Sequence, residues 1–233
     1  MTGPEKPIED ERGLFGLVSK FELPPFGGAQ QDFAVTRSSL KYFLSEYHSQ
    51  APITAALALE PRVPVDEIAA VRIDTQWFTY YEIGSEPEKW HPTTRETADH
   101  SLPWIIAAVL IDGSFSDEIF SAARLGDPRI HALTDKISVQ ENTDFTRVFP
   151  QEIHCRIEVA TTRGERIVSA VKYPRGHVGN PMTDAEVETK FRPLAARTLA
   201  AKSLDALLEL LWDIDRAAGV DALFAAMAGS RST

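Results

Sequence analysis

Two periods of apolar residues run along this chain, and each predicts a different kind of element. Apolar side chains at every second position predict a strand with one buried face over residues 71–77. The same alternation over residues 153–159, a tight turn at Arg163-Gly164 and a further run over 166–173 predict a β-hairpin. The predicted strands therefore all lie in the middle of the chain.

Apolar residues at helical spacing mark most of the remaining sequence. Predicted helices cover residues 11–21 and 48–60, start near Ser101, at Asp127 and at Thr183, and include 204–214 and 220–227. The clearest start signals are a proline in the first turn after Ser101 and after Asp127, and a capping box of Thr183 with Glu186. The helix after Ser101 is apolar on all sides and ends at Gly113, which predicts a position in the core.

The order of these elements predicts an α+β fold. Residues 23–28 and 82–97 predict loops, and the first of them marks a domain edge. Ile137 is assigned to the inner face of the helix that begins at Asp127. The predicted domains are a mixed strand–helix unit over residues 32–182 and helical segments over 1–31 and 183–233.

Composition and charge narrow the classes of partner. The chain has 233 residues, of which 43% are hydrophobic and 25% charged, and a formal net charge of −10. Nucleic acids and anionic membrane surfaces both need a basic footprint, so we expect neither as a partner. An anionic substrate gains nothing from the overall field, and its site has to build a positive pocket from a few residues.

Cysteine usage and the N-terminal sequence bear on cofactors and location. Cys155 is the only cysteine, so the chain alone cannot form an internal disulfide, a cysteine-built zinc site or an iron–sulfur cluster. Its place in an alternating run predicts a small buried apolar side chain. The first residues lack an apolar signal region, and the longest apolar run is too short to span a bilayer. These features predict a soluble, cytoplasmic protein.

Residues 40–50 hold the densest group of reactive side chains. Lys41, two tyrosines, a glutamate and His48 directly precede an apolar run with Pro52 in the first turn of a helix. His48, Ser49 and Gln50 then lie at the positive end of that helix, where free N–H groups bind anions. This pattern favours a carboxylate or oxyanion site, while the alternative is that Ser49 only caps the helix and Lys41 is a solvated charge.

Other kinds of catalytic site find no support in the residues. The sequence has no phosphate-binding glycine loop with a Gly-Lys-Ser/Thr, no Gly-x-Ser-x-Gly turn and no metal-ligand spacing. His154 and Cys155 are adjacent on a predicted strand and point to opposite faces, so they cannot share a metal. His91 and His131 are interpreted as solvated or peripheral, and His177 as a turn residue.

Several segments, in the same order along the chain, resemble the C-terminal half of the MmgE/PrpD family. They are residues 2–4, 12–15, 40–50, 94–104, 173–177, 180–184 and 190–192. The best-known members of that family are 2-methylcitrate dehydratase and cis-aconitate decarboxylase, and residues 46–50 look more like the dehydratase branch. One departure is Leu44, where the family has a proline.

The resemblance implies a fold and a set of site residues. It implies a small α+β lid domain inserted in a large all-helical domain, most of which would precede this sequence, with the last helices returning to it. It places Lys41 at the position of an active-site lysine. His48, at a predicted helix N-terminus, is interpreted as a substrate hydrogen-bond donor, an acid–base group or a neutral histidine that caps the helix. The resemblance also places a tyrosine late in the first lid strand, where Tyr81 is preferred over Tyr80. The expected catalytic residues are Lys41, His48 and Tyr81, and the expected substrate-binding residues are Ser49, Gln50, Tyr80 and His100.

The function implied by the resemblance is a lyase that dehydrates a 2-hydroxy tricarboxylate such as 2-methylcitrate, in the methylcitrate cycle of propionate catabolism. No metal and no other cofactor is expected. The remaining catalytic groups would come from the helical domain, so the expected partners are a polycarboxylate substrate and either an N-terminal-half polypeptide or further copies of this chain. The alternatives are a non-catalytic or accessory fragment, and a decarboxylase or epimerase of a related acid.

Overall fold

The computed structural model describes residues 13–18 and 33–228. The predicted loop over residues 23–28 lies outside the described residues, and so does most of the predicted helix over 11–21, of which Leu14–Leu17 is seen as a short helix, α1. The chain divides into two compact units, one ending at Ser38 and the other beginning at Ser39. The first contains α1 and a 3-10 helix, Ala34–Arg37. All elements described below belong to the second.

The second unit is an α+β domain. Its strands are β1 Ile68–Thr75, β2 Ile137–Glu141, β3 Cys155–Thr161 and β4 Arg166–Val171. Its helices are α2 Gln50–Leu57, α3 Trp77–Gly84, α4 Arg95–Asp99, α5 Leu102–Asp112, α6 Ala122–Leu125, α7 Pro128–Thr134, α8 Thr143–Val148, α9 Asp184–Ala195, α10 Ala201–Trp212 and α11 Asp221–Met227. The predicted fold class is thereby confirmed.

The four strands form one mixed sheet in the order β2-β1-β3-β4. β1 runs parallel to β2, with Val71 opposite Ile137, whereas β3 is antiparallel to both β1 and β4. A parallel pair needs a long crossover, and α3 to α7 supply it between β1 and β2. The β3–β4 hairpin confirms the one predicted from the alternating pattern.

The core lies between the sheet and two helices, α2 and α5, that pack against it. Every residue of α5 from Leu102 to Val109 is buried, as its all-round apolar sequence predicts. Ser101 caps this helix by accepting the N–H of Trp104, and Gly113 ends it in the left-handed conformation at φ 65°. The side chains that β1 and β3 turn to the helices are Val71, Ile73, Ile157 and Val159, and all are buried.

The predicted strand over 71–77 and the loop after it need correction. β1 begins at Ile68 and ends at Thr75, and the apolar residues that follow it form α3 instead. Gln76 starts this helix, because its side-chain oxygen accepts the N–H of Thr79 at 3.2 Å. Tyr80 and Tyr81 therefore lie on a helix and not late in a strand. The segment 82–97, predicted as a loop, contains the end of α3 and the start of α4.

Two further boundaries differ from the predictions. Helix α7 ends at Thr134, and Ile137 opens β2 because the carbonyl of Lys136 accepts the N–H of Val71, which starts the parallel pairing. The predicted helix over 204–214 ends at Trp212, and Ile214 begins a 3-10 turn. Among the described residues, no helix combines the length and the apolar character that crossing a membrane requires.

Candidate functional site

Lys41 lies in a stretch outside any helix or strand, residues 40–44, that we call the lysine segment. Its main chain is fixed at Leu40, whose N–H donates to the carbonyl of Gly176 at 2.8 Å. The Lys41 side chain is exposed, and its ammonium has no hydrogen bond or ion pair to any residue that the structure describes. The backbone is thus held at Leu40, while the described residues leave the Lys41 ammonium unpaired.

A turn over residues 173–180 supports the lysine segment. Gly176 has φ 88°, and a Cβ at this position would lie 2.1 Å from the carbonyl oxygen of Leu40, so only glycine fits. Arg175 holds the turn to α9 through Glu186, with Nε to Oε1 at 2.8 Å. Arg175, together with the capping residue Thr183, lowers the pKa of Glu186 to about 2. This carboxylate is therefore engaged and does not neutralise a nearby lysine.

A second lysine lies beside the first. Lys190, on α9, donates from Nζ to the main-chain oxygen of Lys41. Burial lowers the pKa of Lys190, and the positive charge of Lys41 lowers it further. Lys190 also lines a cleft of about 220 Å³ with Tyr42, Phe43 and Leu44. In a chain of net charge −10, this pair of cations is a local positive site.

His48 lies in a separate group of side chains, the histidine cluster, which comprises His48, Gln76, Phe78 and Phe149. Its ring is half-buried, nearly parallel to that of Phe78 with centroids 6.2 Å apart, and 5.9 Å from that of Phe149. The Gln76 amide nitrogen lies 3.4 Å from His48 Nδ1. Because Gln76 Oε1 is already bonded to Thr79, the amide nitrogen faces the histidine and donates to it.

This contact sets the tautomer of His48. An Nδ1 that accepts a hydrogen bond leaves the proton of a neutral imidazole on Nε2. His48 Nε2 has no partner among the described residues. Glu46 accepts the backbone N–H of His48 at 2.6 Å, so the main chain at this position is also fixed. The ring therefore presents a fixed N–H donor.

Ser49 and Gln50 are both buried and bonded within the protein. Ser49 donates to the Glu46 carbonyl at 2.6 Å and contacts Ser45, and it does not cap α2 with its side chain. Gln50 accepts the N–H of Phe43 at 2.8 Å, while its amide nitrogen donates to the carbonyls of Phe43 and Glu46. These contacts fix the loop that joins Lys41 to His48.

The other residues named from the sequence lie apart from one another. Tyr80 is partly buried against the core, whereas Tyr81 is 54% exposed and stacks on Trp77 with centroids 4.8 Å apart. His100 is exposed at the end of α4, where Nδ1 contacts the Glu96 carbonyl at 3.2 Å. The structure joins Lys41 to Lys190 and His48 to Gln76 by direct contacts. Sequence reasoning named neither Lys190 nor Gln76 as a site residue.

Metal binding and thiol chemistry depend on how the histidine, cysteine and acidic side chains are grouped and buried. Within the described part of the chain, no group of three or more His, Cys, Asp or Glu residues is placed to hold a metal ion. Cys155 is fully buried, as predicted, and burial together with the charge of Asp74 raises the pKa of its thiol. A reactive thiolate at this position is thereby disfavoured.

Comparison with known proteins finds relatives of two named kinds, 2-methylcitrate dehydratases and a cis-aconitate decarboxylase. A 2-methylcitrate dehydratase-like protein, oryR, of Aspergillus oryzae is 26% identical over 204 residues, which are 81% of this chain and 40% of that protein. The mitochondrial 2-methylcitrate dehydratase of Yarrowia lipolytica is 26% identical over 172 residues, which are 70% of this chain and 32% of that protein. Human cis-aconitate decarboxylase is 23% identical over 124 residues, which are 53% of this chain and 26% of that protein.

The chain thus spans at most about two fifths of the length of these relatives. The MmgE/PrpD C-terminal domain matches residues 43–214, which is most of this chain. That range contains the whole sheet, helices α2 to α10 and His48. This chain belongs to the MmgE/PrpD family.

Proposed function

We propose that this chain forms the lid part of a lyase that removes water from a 2-hydroxy tricarboxylate of the 2-methylcitrate type, without a metal or redox cofactor. The observation that carries the proposal is Lys41, whose backbone is fixed beside Leu40, whose ammonium has no partner among the described residues, and which lies beside Lys190. The named relatives of the dehydratase type support the same chemistry.

The two lysines bind the carboxylates of the substrate. Lys41 pairs with the carboxylate next to the carbon that loses its proton, and it stabilises the negative charge that develops there. Lys190 is less readily protonated than an exposed lysine, because burial and Lys41 lower its pKa. A bound carboxylate relieves the repulsion between the two ammonium groups, so binding and protonation of Lys190 are coupled.

His48 serves the leaving group. Dehydration breaks a C–H and a C–O bond, forms a C=C bond and needs a proton for the departing hydroxide, which leaves as water. His48 presents Nε2–H in a fixed direction and can donate to that oxygen. Ser49 and Gln50 shape the loop between the two groups, and Tyr80, Tyr81 and His100 are proposed as outer substrate contacts. The base that removes the C–H proton belongs to a helical domain outside this sequence.

A second candidate reaction is decarboxylation of a related unsaturated acid. It is favoured by the similarity to human cis-aconitate decarboxylase. Both reactions place negative charge next to a carboxylate, so the lysine pair suits either one. The products separate them, because dehydration forms an unsaturated tricarboxylate and decarboxylation releases carbon dioxide.

The test uses this chain together with an N-terminal-half polypeptide of the family. We expect 2-methylcitrate to give the ultraviolet absorbance of an unsaturated tricarboxylate, and Lys41→Ala to lower the rate roughly a hundredfold or more. Lys202→Ala, which removes an exposed lysine from α10, is the matched control and leaves the rate unchanged.

Several results would contradict the proposal. Carbon dioxide release from cis-aconitate without dehydration would support the second reaction. No turnover of either acid, with binding of the second polypeptide intact, would make this chain a non-catalytic accessory module. Loss of dehydration on exhaustive chelation, restored by iron or zinc, would contradict the cofactor-independent mechanism.

A further inference from the structure

Two histidines from different parts of the crossover face each other at the surface. His131 is on α7, and His91 lies between a 3-10 helix, Pro87–Lys89, and α4. Their Nδ1 atoms are 3.2 Å apart, with the ring centroids separated by 5.3 Å and the planes inclined by 29°. Forty positions separate the two residues in sequence, so no local sequence pattern predicts the pair.

The other nitrogen of each ring has a partner that can only accept a hydrogen bond. His131 Nε2 lies 2.8 Å from the carbonyl oxygen of Leu125. His91 Nε2 lies 3.0 Å from Oδ1 of Asp135. A carbonyl and a carboxylate both require a donor, so each ring carries its proton on Nε2.

This arrangement points two lone pairs at each other. If both rings are neutral with the proton on Nε2, both Nδ1 atoms are acceptors, and nothing but repulsion remains between them at 3.2 Å. The contact is favourable only when a positive species lies between the nitrogens. That species is either a shared proton or a metal ion.

We infer that His91 and His131 form a surface site for a divalent transition metal such as Zn²⁺, bound through their two Nδ1 atoms. With zinc–nitrogen bonds of 2.0–2.1 Å, neighbouring ligands of a tetrahedral ion lie about 3.3–3.4 Å apart, close to the separation seen here. Water completes the coordination, since the described residues offer no group of three or more ligands.

The surroundings of the pair fit the same assignment. Histidines that bind metals usually donate their second N–H to a carboxylate or a backbone carbonyl, which fixes the ring and makes it more basic. Asp135 and the Leu125 carbonyl are placed for those two roles. His91 is 53% exposed in its side chain, so an ion reaches the site without rearrangement of the core. A bound ion would tie the segment before α4 to α7.

The test is a zinc titration of the full chain after removal of metals by a chelator, followed by calorimetry. We expect one zinc ion per chain, and no binding at this site in His91→Ala or His131→Ala. Asp135→Asn should weaken zinc binding by about 10- to 100-fold, because it weakens the hydrogen bond that orients His91. His100→Ala removes an exposed histidine of α4 and is the matched control, with unchanged zinc binding.

A second measurement keeps the test independent of folding defects. Cu²⁺ binds such sites more strongly than Zn²⁺, and electron paramagnetic resonance of the unmodified chain should show two nitrogen ligands. Zinc binding that persists in both alanine variants would overturn the assignment. So would absence of zinc binding in the unmodified chain, together with imidazole nitrogen shifts that show one shared proton.

Discussion

The lysine segment and the histidine cluster each place one reactive side chain, but they hold different parts of the residue. Lys41 is held by its backbone, through Leu40 and Gly176, and its side chain contacts nothing described that neutralises it. His48 is held by its ring, through Gln76 and the aromatic rings of Phe78 and Phe149. Mutations at the two places should therefore have different consequences for stability and for chemistry.

Gly176→Ala should produce the largest effect, because it attacks the backbone support of the lysine segment. The added Cβ meets the carbonyl oxygen of Leu40 at a residue with φ 88°, and we expect a loss of roughly 3 kcal/mol in the free energy of unfolding. Urea denaturation measures it. Gly164→Ala is the control, since Gly164 has φ 86° but open space around it, and should lose only about 1–2 kcal/mol. Equal losses in both variants would remove the contact with Leu40 from the account.

Gln76→Ala should cause the next largest loss of stability, since it removes the buried side chain that holds His48. The change deletes the cap of α3 and leaves Thr79 without its partners, at an expected cost of about 2 kcal/mol. It also frees His48 Nδ1, so the ring should populate both neutral tautomers in nitrogen-detected NMR. Gln76→Glu keeps an acceptor for Thr79 but loses the donor to His48, and separates the two effects. A single fixed tautomer in Gln76→Ala would contradict the role given to Gln76.

Much of the fold could be predicted because its signals are local. Ser101 with Gly113 and Thr183 with Glu186 mark helix ends within a few residues, and the structure confirms both helices. The sequence pattern does not reveal helix α3, because glutamine is a rare cap and the apolar residues of the strand continue into the helix. Strand β2 cannot be read from its own residues, because a parallel strand is defined by pairing with a distant one, here Val71 with Ile137.

The candidate site could be predicted only in part for the same reason. Lys41 and His48 stand out because reactive side chains crowd one short stretch of sequence. Their partners Lys190 and Gln76 lie 149 and 28 positions away and carry no local signal. The resemblance places the tyrosines late in a strand, whereas the structure shows them on α3, which Gln76 caps. Chain folding, and not residue spacing, joins these groups.

His177, in the turn over residues 173–180 that supports the lysine segment, should make a smaller contribution to stability, and this contribution depends on pH. His177 is buried, and burial lowers its pKa below the usual 6.5, while Nδ1 accepts the N–H of Gly179 at 3.0 Å. The unfolded chain therefore binds a proton more readily than the fold. The contribution of neutral His177 to the stability of the fold is therefore complete above pH 6.5. It is lost as the pH falls through the lower pKa that His177 has in the folded state.

Denaturation at pH 8 and at pH 5 tests this statement. We expect the unmodified chain to lose more stability on acidification than His177→Asn, whose side-chain oxygen still accepts a hydrogen bond but does not titrate. An identical pH dependence in the two proteins would show that His177 is not the group responsible.

Lys41→Ala should have the smallest effect on stability and the most specific effect on charge. Since the ammonium is exposed and unpaired within the described residues, we expect the free energy of unfolding to change by no more than about 0.5 kcal/mol. Lys190 should respond instead, because the charge of Lys41 is one of the two causes that lower its pKa. Removal of that charge should raise the pKa of Lys190 without restoring the usual lysine value, since burial still acts on it.

A carbon-detected NMR titration of the lysine side chains measures this change in the pKa of Lys190, and the control Lys202→Ala should leave that pKa unchanged. If Lys41→Ala leaves the pKa of Lys190 where it was, the two lysines do not share a site, and the paired carboxylate pocket fails even if Lys41 alone proves essential for turnover.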